Sequence, residues 1–237
     1  MNKLVLLLSC EHAVNIIPDE YQCYFDNFKT ILNTHEAIDF GALEIATYLQ
    51  QNLHCELIQA QVSRILIDCN RSITHPKCFS KISQALSTKE KQTIIERYYT
   101  PFREDVLAYL SEKIKVGYQV LHLSVHSFTP VFHGITRQAD IGILYDPKRA
   151  SEKIFALQWQ TALKNTAPDL RVRRNYPYQG ISDGFTVALR KLFNDPNYIG
   201  IELEINQALV VHEQTFLPIK KQVLSSISAV ISHSPAF

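Results

Sequence analysis

The chain has 237 residues, 46% hydrophobic and 20% charged, the balance of an ordinary folded domain rather than a disordered one. Lys and Arg number 24 against 23 Asp and Glu, for a formal charge of +1, so no broad basic field advertises nucleic acid and no acidic tail is present. Only 7 glycines are available, which leaves little material for a glycine-rich phosphate cradle.

Leu4–Ser9 predicts a buried central strand. The apolar run is too short for an export signal, and Glu11 and His12 follow it at once. The faint lipoprotein box at LLSC fails for the same reason. No later run approaches the ~18 apolar residues of a membrane span. The 5 cysteines are odd in number and form no CxxC pair, as expected of reduced thiols in a cytoplasmic protein. Cys10 or Cys69 as a nucleophile is the alternative to small buried hydrophobes.

Asn15–Asp26 reads as a rim loop, and Phe40–Gln51 as a helix that Asp39 caps. Leu57–Ala60 and Ile65–Ile67 read as short strands, and residues 68–76 as a loop. Phe79–Tyr98 is largely helical, with a new start at Ser87-Thr88-Lys89-Glu90. Pro101 opens another helix that runs to about Lys115, and Gly117 ends it. Gln119–Val125 is a strand. A helix follows Asp146-Pro147 to about Asn165, Arg171–Arg173 is an edge strand, and Asp183–Phe193 is a helix. Tyr198–Ile205 is a strand and Glu213–Ile231 the closing helix. Short strands alternating with longer helices predict an α/β fold. The expected form is a three-layer α/β/α sandwich with a parallel or mixed central sheet, built as one domain over 1–237 with the C-terminal helix packed against it.

Four segments gather chemistry. His12 follows the first strand, at the rim where α/β proteins bind ligands, with Glu11 as its neighbour or a polar rim residue. His35 and Asp39 are four apart, but the helix starts only near Asp39. Asp39 is then either a cap or a carboxylate ligand whose burial a cation offsets. His122 and His126 share one side of their strand. His126 lies at its end and is the better ligand, whereas His122 reads as a hydrogen-bonded core histidine. Glu202 and Glu204 alternate with aliphatic residues, an expensive placement unless the acids are paired or functional. Glu204, nearer the strand end, is the candidate proton carrier. Asn206 either orients substrate or terminates the strand. Asn70 and Arg71, in the DCNRS segment, suit recognition of a substrate carboxylate, with Asp68 positioning the arginine. The RVRRNYPYQGISDG stretch with Arg174 lines the substrate entrance or is a basic surface edge, and Arg137, in the polar loop 133–137, is placed to contact substrate.

The segments LLLSCEHAVNIIP, SRILIDCNRS, YYTPFR, LHLSVHSFTP, ADIGILYDP and IGIELEINQ span roughly residues 3–210, and together they resemble the N-formylglutamate amidohydrolase family. The resemblance implies the general α/β architecture of zinc-dependent carboxypeptidase-like hydrolases and cleavage of N-formylglutamate to formate and glutamate. It implies His12 and His126 as imidazole ligands of one Zn2+, Asp39 as the acidic ligand in preference to Glu11, and Glu204 as the catalytic carboxylate. Arg71 becomes the substrate-carboxylate anchor, and Arg137 or Arg174 the stabiliser of the oxyanion. CEHAVN stands where proline-histidine-glycine wording is common, and THEAIDFG where a histidine-rich aspartate-arginine segment is expected. The chain therefore resembles a divergent branch, with a zinc deacylase or small peptidase for other N-acyl amino acids as the alternative enzyme. A non-catalytic small-molecule binding protein on the same fold is the alternative outside enzymes. The expected partner is a small N-acyl amino acid, not nucleic acid or membrane; the oligomeric state is not encoded.

Overall fold

The computed structural model describes residues 3–233; residues 1–2 and 234–237, the extremes of the expected unit, lie outside the described residues. The chain forms β1 (Leu4–Cys10), 3-10 turns over Asp19–Asn33, helix α1 (Ala42–Leu53) and β2 (Glu56–Gln59). A long excursion follows through α2 (Thr88–Ile94), a π-helical turn (Ile95–Tyr99) and α3 (Thr100–Lys115). β3 (Gln119–Phe128) is followed by a small hairpin of β4 (Val131–Phe132) and β5 (Ile135–Thr136), then by β6 (Ile141–Leu144). Next come α4 (Ala150–Thr166), β7 (Val172–Arg174), α5 (Phe185–Leu192), β8 (Tyr198–Asn206) and α6 (Glu213–His233).

Six strands make one sheet in the order β2-β1-β3-β8-β6-β7. The first four are parallel to one another, while β6 runs antiparallel to β8 and β7 runs with β6. β3 and β8 are buried along their whole length, yet each turns aliphatic residues to one side of the pleat and polar ones, His122 and His126 on β3 and Glu202 and Glu204 on β8, to the other. One apolar cluster joins Ile45, Trp159 and Val223 of α1, α4 and α6 to Leu123, Val125 and Leu203 of the sheet. The other joins Phe102, Val106 and Leu189 of α3 and α5 to Leu7, Val120 and Tyr198. Helices thus cover both faces, and the expected three-layer mixed α/β/α sandwich is what forms. Among the described residues, no helix is long and apolar enough to cross a membrane.

Local chemistry explains where the elements depart from expectation. Ile65–Ile67 is not a strand. The Ser63 carbonyl accepts from the amides of Leu66 and Ile67, and the Ser63 hydroxyl donates to Ala37 O, so the segment turns back on itself. The rim loop is longer and largely wound into 3-10 turns. Asp39 does not cap α1. Gly41 takes the N-cap in the left-handed region at φ 77°, and no side chain caps the helix. The new start at Ser87 is real: the Ser87 hydroxyl accepts from Glu90 N while the Glu90 carboxylate accepts from Ser87 N. β6 was not anticipated, because four buried residues carry too little periodicity to separate a strand from any other apolar stretch.

His122 sits in the middle of β3 without exposure. Its Nε2 lies 2.8 Å from Ser9 Oγ and its Nδ1 2.9 Å from Tyr198 OH, so both ring nitrogens are satisfied inside the sheet. Burial pushes its pKa down to about 4, helped by Arg190 and His126 and opposed by Glu11. The unfolded chain would take up this proton near pH 6.5 and the folded chain only near 4, so stability is lost as pH falls through that window. We expect this group to cost roughly 2 kcal/mol between pH 7 and pH 5. Urea unfolding of His122→Gln should show a flatter pH dependence there than the natural protein; parallel curves would refute the assignment.

Candidate metal centre and active site

Four parallel strands end on one rim, and the site is built where β1, β3 and β8 finish. His12 stands two residues beyond β1, and His126 and Glu204 sit opposite each other in register near the ends of β3 and β8. Asp39 comes from the turn before α1, anchored by its amide on the His12 carbonyl. Its Oδ2 lies 2.9 Å from His126 Nδ1 and 3.2 Å from His12 Nδ1. One ligand atom from each of His12, Asp39 and His126 falls within 4.8 Å of the others, and all three residues are buried.

The outward nitrogens are backed by further carboxylates. His12 Nε2 lies 2.8 Å from Asp68 Oδ1, and His126 Nε2 3.3 Å from Glu11 Oε2. Glu11 is fixed by the Ser9 hydroxyl at 2.6 Å and the Ser124 hydroxyl at 2.8 Å. Arg64 bridges the two aspartates, donating to Asp39 Oδ1 at 3.3 Å and to Asp68 Oδ2 at 2.9 Å. Carboxylates behind the outer ring nitrogens set tautomer and ring orientation in histidine metal sites. With Nδ1 of each ring turned inward and Nε2 held from behind, Glu11 serves as a backing group and Asp39 as the inner oxygen.

This donor set fits a small divalent cation. Ligands about 2.0–2.2 Å from a tetrahedral ion stand roughly 3.3–3.5 Å apart. The Asp39–histidine separations of 3.2 and 2.9 Å are a few tenths shorter, and all three ligand atoms lie within 4.8 Å of one another. Two imidazoles and one carboxylate with the fourth place left free is a donor pattern of catalytic zinc.

The electrostatics are those of groups kept charged against burial. Burial opposes ionisation of Asp39, yet His12, His126 and Arg64 hold its carboxyl well below the usual range. Burial likewise opposes ionisation of Glu11, but His126, His122 and Ser9 hold its pKa down to about 2. Burial disfavours the charged form of His126, and Asp39 and Glu11 overcome it, raising this imidazole well above the ordinary value. Glu204 is the exception. Burial pushes it up to about 8, with Asp39 and Glu202 adding to the effect against His126 and Arg137. Its Oε2 is buried without a hydrogen-bond partner among the described residues. Glu202 instead accepts the Thr186 hydroxyl. The opposite position on β6 is Gly142, where a Cβ would collide with the Tyr176 carbonyl and lie 3.1 Å from the Glu204 Cβ.

Arg137 is 7% exposed and lies over the rings of Phe132 and Tyr178, at 4.7 and 4.9 Å. It donates to Tyr178 OH at 2.9 Å. Asn70 and Arg71 occupy the loop after Asp68. Asn70 Oδ1 accepts from Phe185 N at 2.7 Å, and Arg71 donates to the Asp183 carbonyl. Asn206 is spent on the backbone, donating to Ala139 O and accepting from Ala208 N. Arg174 lies exposed on edge strand β7 and donates to Tyr145 OH at 3.3 Å. Asp68 is directed at His12 and Arg64, with its side chain making no hydrogen bond to the Arg71 guanidinium. Cys10 and Cys69 are buried beside acids, and burial first, then those acids, raises both thiols well above normal, which disfavours the thiolate of a nucleophile.

Sequence reasoning missed Arg64, although its spacing of four from Asp68 was visible. It also missed the backing role of Glu11, for which the signal was Ser9, Ser124 and His126 placed at alternating positions in otherwise apolar strands.

The structure superposes on a gene product of Agrobacterium tumefaciens with a TM-score of 0.78 at 28% identity, covering 95% of this chain and 91% of that one. It shares the fold of an N-formylglutamate amidohydrolase from Ralstonia eutropha JMP134, with a TM-score of 0.70 at 17% identity over 98% of this chain and 94% of that one. None of the curated proteins compared matches the sequence significantly. The family profile of N-formylglutamate amidohydrolase matches residues 4–211, which takes in every group described above from His12 to Glu204. The chain belongs to the N-formylglutamate amidohydrolase family of amide hydrolases.

Proposed function

We propose that this protein hydrolyses the formyl amide of N-formylglutamate, or of a closely similar N-acyl amino acid, with one zinc ion held by His12, Asp39 and His126. The observation that carries this reading is the convergence of those three donors, each histidine backed by its own carboxylate, beside a buried acid with an unpartnered oxygen. A cation bound there supplies Lewis-acid polarisation of the amide carbonyl and acidifies water next to it.

The chain's own residues supply the remaining chemistry. Glu204 in its ionised form takes the proton of the attacking water as the water oxygen bonds to the formyl carbon. It then delivers that proton to the leaving nitrogen as the C–N bond breaks, so formate and glutamate result. Arg137, bracketed by Phe132 and Tyr178 and thus restricted in its rotamers, places a fixed positive charge for the developing oxyanion. Arg71, with a side chain 30% exposed, exchanges its contact with Asp183 for the substrate carboxylate.

Metal analysis of the purified protein should find one zinc per chain, and His126→Ala should lose both the metal and formate release while keeping the natural circular-dichroism spectrum. Full metal retention in that variant would sink the ligand assignment. Metal-loaded protein that turns over none of a matched formyl, acetyl and peptidyl amino-acid panel would identify a binding protein instead. Preference for the acetyl or peptidyl members would identify a deacylase or peptidase.

Glu204→Gln separates chemistry from binding. It should keep its zinc and lower kcat by about 10²–10⁴-fold, the range of a lost general acid–base. A loss under about threefold would remove Glu204 from the proton pathway.

A further inference from the structure

The YYTPFR segment lies outside the metal centre, and the function just proposed gives it no task. Its structure is unusual. Pro101 has no amide hydrogen to continue an α-helical ladder, and the chain passes through a π-helical turn at Ile95–Tyr99 before α3 begins. Wide turns of this kind appear mostly inside α-helices and often at functional sites. Here Tyr99 and Arg103, four residues apart on one helical side, both aim at the loop that carries Asn70 and Arg71.

The contacts grip that loop on either side of Asn70. Tyr99 OH donates to the Arg71 carbonyl at 2.8 Å. Arg103 donates to the Cys69 carbonyl at 3.0 Å and to the Arg71 carbonyl at 3.4 Å. The Arg103 guanidinium lies 4.0 Å from the ring centroid of Phe185 and 5.0 Å from that of Tyr99. Phe185 donates its own amide to Asn70 Oδ1, and the next residue, Thr186, donates to Glu202. One guanidinium sandwiched between two rings therefore ties α3, the Asn70–Arg71 loop and the start of α5 together.

We infer that Tyr99 and Arg103 are positioning residues that fix the Arg71 backbone so that its guanidinium meets the substrate carboxylate. This rests on the proposed role of Arg71 as the carboxylate anchor. The clamp touches neither the metal donors nor Glu204, so it sets substrate affinity and leaves the chemical step alone. A single bidentate contact to a carboxylate is sensitive to small displacements, because both hydrogen bonds must align together. Loosening two carbonyls within two residues of the anchor is enough to misalign it.

The test is steady-state hydrolysis of N-formyl-L-glutamate and of its α-carboxamide by the zinc-loaded enzyme and by Arg103→Met, Arg103→Lys, Tyr99→Phe and Arg71→Met. Calorimetric binding of L-glutamate to each protein gives a second readout. Arg103→Met should raise KM for the acid about tenfold with kcat within about twofold, and weaken L-glutamate binding in parallel. The carboxamide should be unaffected, Arg103→Lys should recover part of the loss, and Tyr99→Phe should show a smaller effect in the same direction. If Arg71→Met raises KM and neither clamp variant does, the inference is overturned while the anchor stands. If Arg71→Met itself leaves KM and L-glutamate binding unchanged, the anchor assignment fails and takes the clamp with it. Should Arg103→Met not fold, Tyr99→Phe decides; equal KM shifts for acid and carboxamide, or a fall in kcat alone, would also overturn it.

Discussion

Oδ2 of Asp39 is shared between the Nδ1 atoms of His12 and His126, and this sharing organises everything around it. An ionised carboxylate among buried groups is costly unless it is paired. The chain surrounds it with two imidazoles on one oxygen and Arg64 on the other. Each of those partners then needs one of its own. His12 turns to Asp68, His126 to Glu11, and Arg64 closes the circuit by bridging Asp39 and Asp68. Alternating charges of this kind satisfy one another, whereas removing any member strands a buried charge. The cluster therefore holds together as a network rather than through any one pair.

Topology explains how residues as distant in sequence as His12 and Glu204 meet. Parallel strands point their carboxyl ends the same way, so the exits of β1, β3 and β8 open on one rim. The antiparallel strand β6 reverses the pattern: the segment that precedes it, including Arg137, lies at that same rim. Gly142 on β6, opposite Glu204, leaves room for the Tyr176 carbonyl to approach, and a Cβ there would also crowd the Glu204 Cβ. The sheet thus delivers the imidazoles and the isolated acid in fixed register, and the connections supply Asp39, Arg64, Arg71 and Arg137.

Much of this was legible in the sequence. β1 announced itself as an apolar run and β3 and β8 by aliphatic residues alternating with polar ones, and the candidate site residues were polar ones near their ends: His12 just past the first, His126 and Glu204 within the others. The layered fold followed from the order of elements. What stayed hidden was relational. Asp39 satisfies both the local rule for a helix cap and the reading as an acidic ligand beside His12 and His126, and the fold sets the cap aside, because its side chain is turned to the two histidines. Ile65–Ile67 has strand composition, but the Ser63 hydrogen bonds that turn it are tertiary. Arg64 looks like an ordinary charge, Glu11 reads as an alternative acidic ligand and Asp68 as a support for Arg71, and only the fold brings all three behind His12, Asp39 and His126. Arg174 and Asn206, attractive by residue type, make hydrogen bonds to Tyr145 and to the backbone of Ala139 and Ala208.

The reversal of β6 divides the rim into two halves with separate origins. The atoms suited to grip an ion come from the N-terminal half of the chain and β3, with Arg64, Asp68 and Glu11 as their supports. The acid and the guanidinium suited to turnover come from β8 and from the hairpin side of β6. Drift in the second half, by shifting Gly142 or unseating Arg137 from its aromatic bracket, would leave the first half's pairings untouched. The two groups of side chains can therefore change independently, the paired cluster persisting where the isolated acid and the bracketed guanidinium do not.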